Sequence, residues 1–379
     1  MKKEIFSSAQ DAMREFYPDF EFPKVEEPSL DWVEDFIKRN NLCKKENHEL
    51  GIDRSVNANL STLQEWFKNV FTEELYKKFK PAMIGNLDET MLVARNKFLC
   101  VVKRGSRFAI TDSDESAEHV TMLACVTTDG QRVPPYLIFP LKHLPNTLDS
   151  MIKNKQVYVG GQQSGWITQE NFKEYVKVLT TFIKNHRIRH RLPENEPFLL
   201  FGDSHSSRED SEMLKILQSN NITFLTYPAH STHVLQPLDI GIFGHFKKLF
   251  KSEMRKISKE KITFTEPVTC EHSVKRVRRV LACIVALHMS CTDRKIEKAF
   301  RLSGLHPRDP DQTLKNPRVN QDDSIVIPIR RRKRITIDAK IITEETLIKE
   351  LEKQKEESQS SQKKPTKYVI RIFITFTNC

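Results

Sequence analysis

The chain has no C-x-x-C pair, no internal repeat and no apolar stretch long enough to cross a bilayer. Its seven cysteines, Cys43, Cys100, Cys125, Cys270, Cys283, Cys291 and Cys379, are scattered and odd in number, which argues for a reducing compartment and against a zinc module. The opening MKKEIF runs straight into polar residues without the apolar core of a signal peptide. The longest apolar run, around Val280–Met289, falls far below the ~20 residues a spanning helix needs. Neither secretion nor membrane insertion is expected. Gly160-Gly161 with Gly165 lacks the strand-to-helix setting of a phosphate-binding loop, so no ATP site is read there.

What is present is basic. Lys and Arg total 61 against 50 Asp and Glu, a formal charge of +11, and such a balance favours a polyanionic partner through phosphate contacts and counterion release. Nucleic acid leads on charge, although basic proteins that never touch DNA are common. With 379 residues, 38% of them hydrophobic, the chain can bury one substantial core and a small appended module.

Residues 29–80 carry helical spacing: Leu30, Val33, Phe36 and Ile37 fall on one face, as do Leu63, Phe67, Val70 and Phe71. From about Ala82 the texture changes to short apolar runs divided by turn signals: AMIGNLD, FLCVVKRG, HVTMLACVTTDG and VPPYLIFP. These read as consecutive strands, with Asp129-Gly130 as a hairpin turn. Further on, Asn171–Ile183 reads as an amphipathic helix, FLLFGD as a buried strand, Glu209–Gln218 as a helix, ITFLTYP as a strand and Ile240–Met254 as a helix. A meander followed by alternating strands and helices predicts an α/β fold, a mixed sheet with helices on its faces. The expected organisation is a helical segment over 1–80, a main domain over 81–307, and a basic, polar, largely flexible tail over 308–379 containing Arg330–Arg334. That basic block suits a localisation signal or a phosphate clamp as well as a solvated linker.

Three aspartates sit where a carboxylate has little structural reason to be. Asp88 ends the strand AMIGNL, Asp203 ends FLLFG, and Asp239 opens a helix after LQPL. The ends of neighbouring strands meet at one edge of an α/β sheet, so these side chains can converge on one cleft. Carboxylates so close repel unless divalent cations neutralise them, and hard oxygen ligands suit Mg²⁺ or Mn²⁺. Singly, each such aspartate is more often a helix cap or turn former, and Asp239 before Ile240-Gly241 suits an N-cap.

The surrounding blocks carry a resemblance. NLDET at 86–90, LLFGDSHSS at 199–207 and PAHSTHVLQPLDIGIFGHFKK at 228–248 are similar to the catalytic blocks of the DDE superfamily endonucleases of the pogo, Tigger and jerky group, transposases related to centromere protein B. SGWITQENFKEYV and AFRLSGLHP are similar to further family stretches, so the resemblance spans roughly 80–310. It implies a ribonuclease-H-like fold and a D-D-D triad, Asp88, Asp203 and Asp239, holding two Mg²⁺ or Mn²⁺ ions. It also implies DNA cleavage and transfer of a 3′-hydroxyl end, with transposon ends and target DNA as partners, and a nuclear location. A homodimer stands as an open expectation, and no membrane is expected.

Active members of the group carry two helix-turn-helix units, and residues 1–80 cannot hold both. Residues 30–42 resemble the last helix of the second unit, so the chain is expected to begin inside that DNA-binding region. Arg208 stands where the group often has histidine. The alternatives are a domesticated or decayed transposase that binds nucleic acid without cutting it, and another phosphoryl hydrolase on the same fold.

Among the lesser candidates, Glu89 is expected to face away from the cleft as a salt-bridge or capping residue. His205, His230 and His233 flank the aspartates and read as supporting residues, with His230-x-x-His233 more structural than metal-binding. Residues 185–191 are dense in positive charge and suit a DNA backbone or a solvated helix end. Asp112-x-Asp114 reads as an exposed loop.

Overall fold

A computed structural model describes residues 30–39, 59–92, 119–142, 157–259, 271–319 and 337–362. The predicted strand FLCVVKRG, Asp112-x-Asp114, Arg330–Arg334 and the far carboxy-terminal stretch lie outside the described residues. The chain divides into two compact units, 1–51 and 52–379. In the first, helix α1 (Leu30–Arg39) has an acidic first turn at Asp31 and a basic last turn at Lys38 and Arg39, which complements its macrodipole.

The second unit is built on six strands: β1 (Ile84–Leu92), β2 (Val120–Thr127), β3 (Arg132–Phe139), β4 (Tyr158–Gly161), β5 (Phe198–Gly202) and β6 (Ile222–Thr226), in the order β4-β3-β2-β1-β5-β6. β1, β2 and β3 form an antiparallel meander, whereas β5 joins β1 in parallel and β6 joins β5 in parallel. This mixed sheet, a three-stranded meander extended by parallel strands that arrive through helices, is the ribonuclease-H-like arrangement expected from the sequence. The β2–β3 hairpin turns at Asp129-Gly130 as predicted. Thr127 N–H donates to Gln131 O, and Gly130 takes φ 86°, a left-handed value that glycine adopts without strain.

Each strand divides its side chains between two cores with period two. On one face Leu199, Phe201, Met122 and Ala124 pack with helices α2 (Leu60–Asn69), α5 (Phe243–Lys259) and α6 (Glu271–Ser290). On the other, Phe198, Leu200, Leu123 and Cys125 pack with α3 (Gln169–Arg189) and α4 (Ser211–Ser219). Covered on both sides, β5 reads as an unbroken apolar run rather than an alternating one.

Two boundaries differ from the sequence-based expectation. α2 does not belong to a separate segment ending at residue 80: Leu63, Trp66 and Phe67 are buried in the sheet's core, and Trp66 Nε1 donates to Thr226 O at 3.1 Å. Nor does the packed chain stop at 307. Ile337, Ile342, Leu347, Ile348 and Leu351 are buried against α3 and α4, and Thr226 N–H donates to Lys340 O at 2.8 Å. The apolar residues that dock are few and set among charged ones, so composition alone reads as tail.

Candidate active site

Asn86 organises the cleft. It is fully buried in the apolar β1, and a buried amide is tolerated only when its donors and acceptor are used. Its Nδ2 lies 3.2 Å from Phe201 O, 3.1 Å from the Tyr227 hydroxyl and 3.2 Å from Gln236 Oε1. Its Oδ1 accepts from Leu238 N–H at 3.1 Å. One side chain thus ties β1 to the end of β5, to the residue after β6 and to the turn that carries Asp239.

On this frame the three aspartates converge. Asp88 is only 7% exposed, Asp203 follows β5 with partial exposure, and Asp239 is exposed in the wide turn Leu238–Ile242 that precedes α5. Carboxylate oxygens of Asp88, Glu89 and Asp203 all lie within 4.8 Å of one another. Burial drives the Asp88 carboxyl well above the ordinary carboxylate range. The charges of Asp239, Asp203 and Glu89, in that order, push it further, and a hydrogen bond from Gln236 opposes them. Tyr227 is likewise held well above its usual range, first by burial and then by Asp88, Asp203 and Asp239.

Glu89 does not face away as strand alternation predicts. Its two oxygens take a fork from the fully buried Arg208, at 2.5 Å from Nη1 and 2.6 Å from Nη2. Nη2 also stands 3.1 Å from Asp203 Oδ1. The guanidinium lies over the Phe172 ring, 4.7 Å from its centroid. Burial would weaken its charge, but Asp203 and Glu89 outweigh that and keep it fully protonated.

The remaining candidates separate cleanly. His205 is exposed; its backbone N–H is 3.4 Å from Asp203 Oδ1 and its ring pairs with Ser207 Oγ at 3.0 Å. His230 is exposed, while His233 is buried with Nε2 3.5 Å from Arg318 O, and no metal-like group unites them among the described residues. The basic stretch 185–191 ends α3, with His186 and Arg187 buried rather than offered to a DNA backbone. Asn86, Gln236 and Tyr227 join the site without being expected from the sequence. The available signal was polar side chains embedded in the apolar runs AMIGNL and VLQPL.

The cluster fits a divalent cation. Four carboxylates face one cleft, one of them buried and destabilised as an anion, and Arg208 is held to the Glu89 and Asp203 side. Because the Asp88 pKa is raised on folding, native metal-free protein binds more protons than unfolded chain does. Stability should therefore fall as pH rises from about 4 through the raised Asp88 range. Asp88→Asn should remove that decline and raise the melting temperature in chelator at pH 7. Calorimetry across a pH series reads both effects.

The family model of the DDE superfamily endonucleases matches residues 116–300. That stretch includes Asp203 and Asp239, whereas Asp88 precedes it. The chain is 26% identical over 250 residues to the MFS-type transporter clz9 of Cochliobolus lunatus, covering 65% of this chain and 24% of that protein. It therefore spans about a quarter of that relative's length. Among the described residues no helix is long and apolar enough to cross a membrane. Among solved structures, the pre-cleavage Mos1 transpososome is similar at 12% identity and TM-score 0.43, over 83% of this chain and 77% of that one. The Mos1 mariner paired end complex with Mn is similar at 14% identity and TM-score 0.44, over 82% and 76%.

Proposed function

We propose that the chain is a DDE-type transposase whose cleft cuts DNA phosphodiester bonds and transfers 3′-hydroxyl ends, with Asp88, Asp203 and Asp239 as ligands for two Mg²⁺ or Mn²⁺ ions. The observation that carries this reading is the meeting of three carboxylates from β1, the end of β5 and the turn before α5 at one edge of a ribonuclease-H-like sheet. When bound, such ions supply an activated water and stabilise the leaving oxygen. The protein's own groups position the ligands. Gln236 steadies Asp88, Arg208 fixes one oxygen of Asp203, and Asn86 holds the turn bearing Asp239. The charge of +11 suits transposon-end and target DNA, and we place the activity in the nucleus, with a homodimer able to hold two ends. We assign the segment around α1 to a helix-turn-helix DNA-binding region.

One observation favours a second reading, a domesticated or decayed derivative that binds DNA without cutting it. A permanent cation already sits 3.1 Å from Asp203 Oδ1, on a side chain the first reading gives to a metal. Supercoiled plasmid incubated with Mg²⁺ or Mn²⁺ separates the two. Nicking that requires the metal and disappears in both Asp203→Ala and Asp239→Ala supports the transposase. DNA binding without nicking by folded protein supports the derivative, and absence of both binding and nicking removes each reading.

A further inference from the structure

The sheet carries a second convergence of ligand-type atoms at the opposite end from the aspartates. Gly85 pairs with Thr127, so the β2–β3 turn lies beside the start of β1. Asp88 stands three residues further along that strand, roughly 10 Å away, and Asp129 lies beyond Thr127 in the other direction. Against this turn runs the last part of α3, which presents His186 and His190 one turn apart on the same face.

We propose that Asp129, His186 and His190 bind a borderline transition ion of the Zn²⁺ or Co²⁺ class, an imidazole–imidazole–carboxylate site separate from the cleft. Candidate ligand atoms of all three lie within 4.8 Å of one another. Asp129 Oδ2 is 2.9 Å from His190 Nε2 and 3.6 Å from His186 Nε2. The Ala82 carbonyl oxygen, 3.0 Å from His186 Nε2, brings a fourth donor atom to the same place. A tetrahedral ion with ligands at ~2.1 Å keeps those ligands ~3.4 Å apart, so the three separations already bracket the required spacing.

The carboxylate is preset. Thr127 Oγ1 donates to Asp129 Oδ1, which leaves Oδ2 turned toward both imidazoles. Burial holds His186 below its usual pKa, so its ring is neutral near pH 7, the form that binds metal. Without metal, a proton on His186 Nε2 serves Ala82 O, and another links His190 to Asp129. An ion replaces both. Two features weaken the site. His186 Nδ1 is buried with no hydrogen-bond partner among the described residues, and the positive charge of Arg189 acts on the same ring. Bound, the ion would pin the hairpin turn to α3 without touching the aspartates.

The test titrates Co²⁺ and then Zn²⁺ into the full-length chain in excess Mg²⁺, reading the visible absorption of tetrahedral Co²⁺ and the heat of Zn²⁺ binding. One equivalent should bind at micromolar concentration, and the band should be unchanged in Asp203→Asn. His190→Ala and Asp129→Asn should each weaken it at least about tenfold. His190 is partly exposed, so its truncation leaves a folded protein, checked by the melt in chelator. No binding, a band that survives His190→Ala, or one that vanishes in Asp203→Asn would each overturn the assignment.

Discussion

Replacing Arg208 by alanine should lower the unfolding free energy by about 3–5 kcal/mol, the usual cost of breaking a buried ion pair from one side. The guanidinium is fully buried, forks onto Glu89 and touches Asp203, so its loss leaves Glu89, which is mostly buried, facing Asp88 and Asp203 with no compensating charge. The Phe172 face also loses its cation and gains a cavity. Urea denaturation measures the change. The paired variant Arg208→Met with Glu89→Gln should recover most of it, because the unpaired charge, rather than lost attraction, dominates the penalty. If Arg208→Ala unfolds at the wild-type urea midpoint, the ion pair contributes nothing to the fold.

Asn86→Leu should be comparably damaging, by roughly 3–4 kcal/mol, for a different reason. Leucine keeps the branched shape of asparagine but satisfies nothing, and it strands the Leu238 N–H and Gln236 Oε1, each at ~1–3 kcal/mol. The second consequence is local. Leu238 adjoins Asp239, so releasing that N–H frees the turn from β1 and lets Asp239 drift from Asp88. Misplacement of about 1 Å can cost ~100-fold in rate, so any metal-dependent nicking should fall by that order even where the variant remains folded. Asn86→Asp, which keeps the acceptor and loses the donors, should bind Leu238 N–H still but add a fifth carboxylate to the cleft. Denaturation midpoints read beside plasmid nicking rates distinguish lost stability from lost geometry.

Much of this arrangement is legible in the amino-acid sequence. Asp88, Asp203 and Asp239 end apolar runs, and the sheet's topology follows from a meander succeeded by strand–helix alternation. The geometry of Glu89 is not legible, because period-two alternation assigns a side chain to a face but says nothing of a buried cation drawing it back. Arg208 could be noticed only as a departure from a resemblance, since its partner Glu89 lies 119 residues away. His186 and Arg187 read as surface because a charge-dense helix end usually is. Here the face they occupy turns inward, and Arg187 Nη2 donates to Asn220 O at 2.8 Å. The docking of residues 337–351 is illegible for a related reason, a few apolar side chains whose partners are far away in sequence.

That docking has a consequence for how the protein is made. Besides Trp66 and its β5 neighbour, Thr226 of β6 hydrogen-bonds to Ile337 and Lys340, at least 111 positions later. During synthesis β6 therefore waits as the rim of an unfinished sheet while more than a hundred residues are added, with its backbone groups open to any other strand. Removing residues 337–351 should therefore leave this edge of the sheet open in the finished protein, which faster amide exchange at β6 would show.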